Sequence, residues 1–230
     1  KGLHTNAVYG FLNIMFRVLE ACREGKYTSV LVQTHDKKYV EYRTEHFVNA
    51  LGSGAGKLCD SMGIDAGLYP VRHQAFITRR LPMLGKHGTN LDMLIDRQDY
   101  KGFSAVYGQQ IAYTGQIIGC ASPKLDAMRI DKNLKVNTKA FLEIVSEMFS
   151  EWIPDLAGVG IQAVWAGYYT EPRYIVDPEL GLFVGMRGHG FMLSQYIARM
   201  YVDKLLGRPV PEYFEKLKLN GPGLSEKAFK

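Results

Sequence analysis

Near the start of the chain, apolar residues recur at three- and four-residue steps: Val8, Phe11, Leu12, Met15, Val18, Leu19 and Cys22. On a helical period these positions share one face, which predicts an amphipathic helix. Thr5 or Asn6 can cap its start, and Gly25 supplies a left-handed stop. The pattern then changes. Residues 29–33, 38–43 and 46–51 read as short strands, and the last runs into a glycine cluster at 52–56 and a short helix holding Leu58 and Met62. A long strand is predicted over 69–78, where Val71, His73, Ala75 and Ile77 alternate with Arg72, Gln74, Phe76 and Thr78.

Residues 80–90 form a loop by composition. Strands at 92–97, 103–108 and 116–120 follow, as the middle of an antiparallel sheet. Asn137 caps a second amphipathic helix whose stripe is Phe141, Val145, Met148, Phe149 and Trp152, ended by Pro154. Strands at 161–169 and 181–185 lead to the turn Gly188-His189-Gly190, which opens a last helix through Leu206, stopped by Gly207 and Pro209. The tail, 208–230, is basic and punctuated by Pro and Gly, so it is expected on the surface. No internal repeat appears. The elements together predict an α+β fold.

Composition narrows the function classes. At 230 residues with 47% apolar and 22% charged positions, the chain can bury a sizeable core without a metal or disulfide. Its net charge of +5 is spread along the sequence, which excludes a dedicated nucleic-acid protein. Cys22, Cys59 and Cys120 lie far apart, a spacing that suits neither a zinc site nor a disulfide framework and fits a reducing, cytoplasmic setting. No apolar run reaches the ~20 residues needed to span a bilayer, and no signal peptide is evident. The first residue is Lys1, not Met, so we expect a piece of a longer protein.

Two glycine-rich turns invite chemistry. Gly52-Ser53-Gly54-Ala55-Gly56-Lys57 is not a phosphate loop, because Leu51 and Leu58 stand where that motif needs Gly and Ser or Thr. A dinucleotide fingerprint also fails, since the third glycine comes one residue early. What remains is a bare backbone that a ligand can approach closely, or simply a tight strand-to-helix turn. Gly188-His189-Gly190-Phe191-Met192-Leu193 places free N–H groups at a positive helix end, suited to an anion. The run from Trp165 to Arg173 carries aromatic and charged groups beside a proline turn. His4, His35, His46, His73 and His87 show no metal-ligand spacing, and no metal site is expected.

In order along the chain, four of these segments resemble the FAD-dependent D-amino acid oxidase-like superfamily, in its sarcosine oxidase, glycine oxidase and proline dehydrogenase branch. Phe47-Val48-Asn49-Ala50-Leu51-Gly52-Ser53 is similar to that family's Val-Val-Asn-Ala-Ala-Gly-Ala strand. About twenty residues later, Pro70-Val71-Arg72-His73-Gln74 matches a Pro-x-Arg-x-Gln segment. Trp165 to Pro172 matches Trp-Ala-Gly-x-Tyr-x-x-x-Pro with one residue fewer, and Gly188 to Phe191 matches the closing Gly-His-Gly-Phe.

The resemblance spans about residues 1 to 206 and implies a division of labour. It makes residues 1–66 part of a FAD-binding α/β domain that lacks its N-terminal Gly-x-Gly-x-x-Gly unit. Residues 67–155 become a substrate domain with a mixed, largely antiparallel sheet and packed helices, 156–207 return to the FAD domain, and 208–230 are a tail. The implied activity is oxidation of the C–N bond of an amino acid or secondary amine by hydride transfer to flavin. The alternative is a non-catalytic subunit that keeps the fold without flavin. Since the pyrophosphate-gripping unit is missing, the 230 residues alone are expected not to retain FAD. Expected partners are the small amine substrate and an electron acceptor or sister subunit.

Residue by residue, the resemblance assigns FAD contacts to Asn49, Ala50, Gly52, Ser53, Gly54, Gly167, Gly188, His189, Gly190, Phe191, Met192 and Leu193. Gly167 is the nearest match to the cysteine that bonds flavin in the covalent branch, so non-covalent FAD is implied. Arg173, Tyr168 and His189 are the expected catalytic residues, with Arg173 the first candidate to grip a substrate carboxylate. Arg72, Tyr107 and Tyr169 are expected to line the substrate pocket.

Overall fold

The structure is a computed structural model, and it describes residues 17–25, 27–85, 90–98, 103–123 and 138–223. The described residues form two compact units, one running to Leu68 and resuming at Thr170, the other Tyr69–Tyr169. Among them no helix is long and apolar enough to cross a membrane.

In the first unit, β1 (Arg17–Glu24), β2 (Tyr27–Gln33) and β3 (Tyr39–Thr44) make an antiparallel sheet in that order. The helix expected to reach Cys22 is therefore a strand at its described end, and positions 1–16 lie outside the described residues. The physical reason is a β-bulge between Val18 and Glu20. One extra residue resets the alternation, so Val18 and Ala21, three apart, both turn toward Val30, Val32 and Leu58. A three-residue step therefore mimicked a helical stripe. The strand expected over 46–51 is reduced to a single parallel bridge, Asn49 to Leu182.

Helix α1 (Ala55–Ser61) seats Leu58 under the sheet, while Ser61 Oγ accepts from Ala21 N at 3.1 Å. Strands β9 (Ile175–Asp177) and β10 (Leu182–Val184) form a hairpin. Val176 on it packs with Ile197, Met200 and Tyr201 of α3 (Gly190–Leu205). The tail is not confined to the surface. Its 3₁₀ turn, Glu212–Leu217, buries Phe214 and Leu217 completely in the same core, because two apolar side chains three apart fall on one face of such a turn.

The second unit is a five-stranded sheet in the order β5-β6-β7-β4-β8, made of β4 (Tyr69–Thr78), β5 (Leu94–Asp96), β6 (Phe103–Ile111), β7 (Gln116–Pro123) and β8 (Ile161–Glu171). Because β8 stays with this sheet, the chain re-enters the first unit at Thr170 rather than near residue 156. Helix α2 (Thr138–Trp152) covers one face, burying Phe141, Ile144, Val145, Met148 and Phe149 against Phe76, Val106 and Ile117. The expected cap, Asn137, lies outside the described residues. Phe76 meets Phe149 edge-on with centroids 5.5 Å apart, and its ring lies on the bare backbone of Gly119. A Cβ at Gly119 would stand 2.4 Å from Phe76 Cζ and 2.3 Å from the Tyr107 carbonyl oxygen, so only glycine lets sheet and helix close here.

Candidate active site

Strand alternation gives the sheet of the second unit two chemical faces. On β4, Gln74, Phe76 and Thr78 are buried on the helix side, while His73 and Ala75 point to the other. Across the ladder, Cys120 pairs with both Ala75 and Tyr107, which brings β7 and β6 into the same patch. On β8, Trp165, Gly167 and Tyr169 complete it. Together with Gln109 and Ile118, these residues line a half-open cavity of about 280 Å³. His73 and Tyr169 form its centre, their rings stacked at 3.8 Å and 28°.

The electrostatics of this cavity follow from burial. Loss of water pushes the His73 imidazole down to about 4, so it is neutral at pH 7. Burial also raises the hydroxyls of Tyr107 and Tyr169 and the thiol of Cys120 above their ordinary ranges. Tyr107 is hydrogen-bonded to both Cys120 and Tyr169, which links the three groups into one protonated network.

Tyr107 and Tyr169, expected on a substrate pocket, and Gly167, expected against FAD, line this one cavity. Two expected residues do not. Arg72 shares the helix-side face of β4 with Gln74 and Phe76, and Tyr168 falls on the opposite face of β8 from Trp165 and Tyr169. A period of two forbids neighbours from sharing a face. Sequence reasoning passed over His73, Gln109, Cys120 and Trp165 as members of this cavity. The alternation in 69–78 already separated His73 from Arg72, but the register that delivers Cys120 and Gln109 comes only from pairing across the sheet.

Arg173 lies in the first unit and is engaged there. Its guanidinium donates to the carbonyl oxygen of Gly221 at 2.6 Å and to that of Leu219. Both Nη groups therefore bind the chain's own tail and clamp residues 219–221, at the residue expected to anchor a substrate carboxylate.

The remaining expected positions cluster at one end of the first unit. Asn49 is fully buried, and its Nδ2 donates to the Ala55 carbonyl oxygen at 3.1 Å and to Cys59 Sγ at 3.4 Å. Its side chain is an internal latch and not a ligand contact. The parallel bridge from Asn49 to Leu182 makes two segments leave the same edge, Ala50 to Gly54 from one and Gly185 to Gly190 from the other. Ala50, Gly52, Ser53 and Gly54 are exposed. A crevice beyond the carboxyl ends of parallel segments is where open α/β folds bind ligands.

The amino terminus of α3 opens at the same edge. It has no side-chain cap and no acidic residue in its first turn, so its free N–H groups and dipole favour negative charge. Phe191 is 101% exposed and Met192 68%, while Leu193 packs inward on the α3 core. His189 is held by Tyr174, whose hydroxyl meets Nδ1 at 2.6 Å, and Arg187 pairs with Glu171. Gly190 is needed by the turn itself, since a Cβ there would sit 2.9 Å from Met186 Cβ.

With this geometry in place, comparisons with known proteins bear on both units. Residues 14–204 match the family model described as FAD dependent oxidoreductase (DAO). Among solved structures, glycine oxidase from Geobacillus kaustophilus superposes with a TM-score of 0.63 at 18% identity, covering 89% of this chain and 52% of that one. L-proline dehydrogenase from P. horikoshii gives 0.64 at 25% identity, covering 89% and 53%. Glycine oxidase from Bacillus cereus ATCC 14579 gives 0.64 at 20%, covering 91% and 54%. The chain spans about half the length of these proteins. No curated protein matches it.

Proposed function

The chain belongs to the FAD-dependent oxidoreductase family of DAO type, and we propose that it works in an enzyme that oxidises the C–N bond of an amino acid or secondary amine. The observation that carries this reading is the shared edge of the first unit. There the exposed Ala50–Gly54 backbone and the uncapped start of α3 leave the parallel pair Asn49–Leu182 together. These features fit a non-covalently held FAD, with Ala50, Gly52, Ser53, Gly54, Gly188 and Gly190 to Leu193 as the residues that would hold it. When bound, FAD supplies the two-electron acceptor for C–N oxidation.

The chain's own residues then have definite tasks. The N–H groups at the start of α3 present positive potential to an anion without having to reorganise. The Tyr174 hydroxyl fixes the ring of His189 beside that helix end. In the second unit, the neutral wall of His73, Tyr107 and Tyr169 would bind and orient an amine and keep water away from it.

The test is anaerobic titration of the FAD-loaded full-length enzyme that contains this chain with glycine, sarcosine, L-proline and D-amino acids, reading the flavin absorbance. Bleaching by one of these amines, reversed by oxygen or a dye acceptor, is the expected result. A flavin band that no member of the panel changes would refute the proposal.

A further inference from the structure

We infer that β3 (Tyr39–Thr44) is a self-complementary sheet edge, through which two copies of this protein pair as antiparallel strands about a two-fold axis at Tyr42. The inference concerns the first unit alone and stands independently of the reaction proposed above.

Backbone geometry comes first. β3 ends the strand order of its sheet, and among the described residues no strand lies beyond it. Thr34 N donates to the Lys38 carbonyl oxygen at 2.9 Å across the β2–β3 turn, so those two residues form a hydrogen-bonded pair. Hydrogen-bonded and non-hydrogen-bonded pairs alternate along an antiparallel ladder, and this register runs unbroken from Gln33–Tyr39 to Thr28–Thr44. Val40, Tyr42 and Thr44 therefore turn their backbone groups to β2. Tyr39, Glu41 and Arg43 turn theirs to the open edge.

Charge selects the occupant. Open edges are usually guarded by charges that repel a second strand. Here the two charges have opposite signs and stand two residues apart on one sheet face. An axis at Tyr42 sets Glu41 of each copy opposite Arg43 of the other, and these are the residues whose N–H and C=O groups face outward. Each such pair then exchanges both main-chain hydrogen bonds and adds an ion pair. An axis one residue to either side would set Glu41 against Glu41 or Arg43 against Arg43, which repel. The Arg43 side chain is 59% exposed and holds Glu24 loosely, at 3.8 Å. Glu41 accepts from Ser29 Oγ through Oε1. A guanidinium has several donors and a carboxylate two oxygens, so each can take a second partner.

The apolar surface agrees. Val40 and Tyr42 lie opposite Val32 and Val30, so Tyr42 shares the sheet face that builds the core, yet it remains 49% exposed. At the axis it meets its counterpart as a non-hydrogen-bonded pair, with Cα atoms ~4.5 Å apart, and each ring covers the other.

The experiment is sedimentation velocity of the full-length protein that contains this chain, over a concentration series. A short strand pair falls at the small end of specific interfaces, so a reversible dimer with Kd of about 1–100 µM is expected. Glu41→Arg and Arg43→Glu should each weaken it at least about tenfold, since like charges then face each other at both pairs. The double variant should return to within about threefold of the parent, because both pairs again join opposite charges. An equal mixture of the two single variants should form a heterodimer for the same reason. Tyr42→Cys should also give a disulfide-linked dimer with diamide, because the axis holds its Cα atoms within the ~4.4–6.8 Å bridging range. Lys38→Cys should give no more than the parent with its exposed Cys22. A protein that stays monomeric up to about 1 mM would overturn the inference. So would an oligomer that both charge reversals leave undiminished, or a double variant no better than the single ones. Should a charge reversal fail to fold, absence of the Tyr42→Cys cross-link overturns it alone.

Discussion

Removing the Arg173 guanidinium should loosen the end of the chain before it affects any substrate. The side chain donates two charge-assisted hydrogen bonds, to the carbonyls of Gly221 and Leu219. Bonds of that kind contribute ~1.5–3 kcal/mol each, and water can reach these half-buried carbonyls, so about 2–4 kcal/mol is at stake in Arg173→Ala. Phe214 and Leu217 keep their burial, so the loss is confined to the segment beyond them. Urea unfolding of the full chain, followed by circular dichroism, should show the midpoint falling by about 1–2 M for a slope of ~2 kcal/mol per M. Arg173→Lys keeps the charge without the planar fork and should fall between the parent and alanine. Trypsin should also cut faster at Lys218, which now relies on its ion pairs with Glu179 and Glu215. An unchanged midpoint in Arg173→Ala, together with a raised KM for an amino acid in the FAD-loaded full-length enzyme, would refute the clamp and favour the carboxylate anchor.

Three further outcomes are expected. Gly119→Ala should destabilise the full chain by at least ~1–3 kcal/mol in urea, because its methyl group would collide with the Tyr107 carbonyl and the Phe76 ring. Gly190→Val should lower the urea midpoint with no flavin present, since Met186 already crowds that position; an unchanged midpoint would show that the turn can give way. Stability should also fall on acidification through His73. Its folded value of about 4 lies below the unfolded 6.5, so the unfolded chain binds the extra proton in that interval. The contribution is fully present above pH 6.5 and is lost progressively down to about pH 4, up to ~3 kcal/mol in all. His73→Gln should flatten that stretch of the pH–stability profile, and an unaltered slope would show that the ring is not desolvated.

Much of this protein is legible along the chain, for a common reason. The amphipathic stripe of α2, the alternation of β4 and the glycine-framed opening of α3 are local patterns, set by backbone period and turn chemistry within a few residues. The four segments that carry the family resemblance are local as well. What sequence could not supply depends on partners remote in the chain. Arg17–Glu24 became a strand because β2 pairs with it and a bulge at Val18–Glu20 brings a three-residue step onto one face. Arg173 beside an aromatic run looked like a substrate anchor until the fold returned Leu219 and Gly221 to it from the far end of the chain. The cavity draws its wall from four strands, and Cys120 and Gln109 enter it through register alone. Sequence by itself determined α2, β4, the opening of α3 and the family, because periodicity and turn residues act locally. Tertiary structure decided which side chains meet and which lose their charge, because pairing register and burial exist only once distant segments are packed.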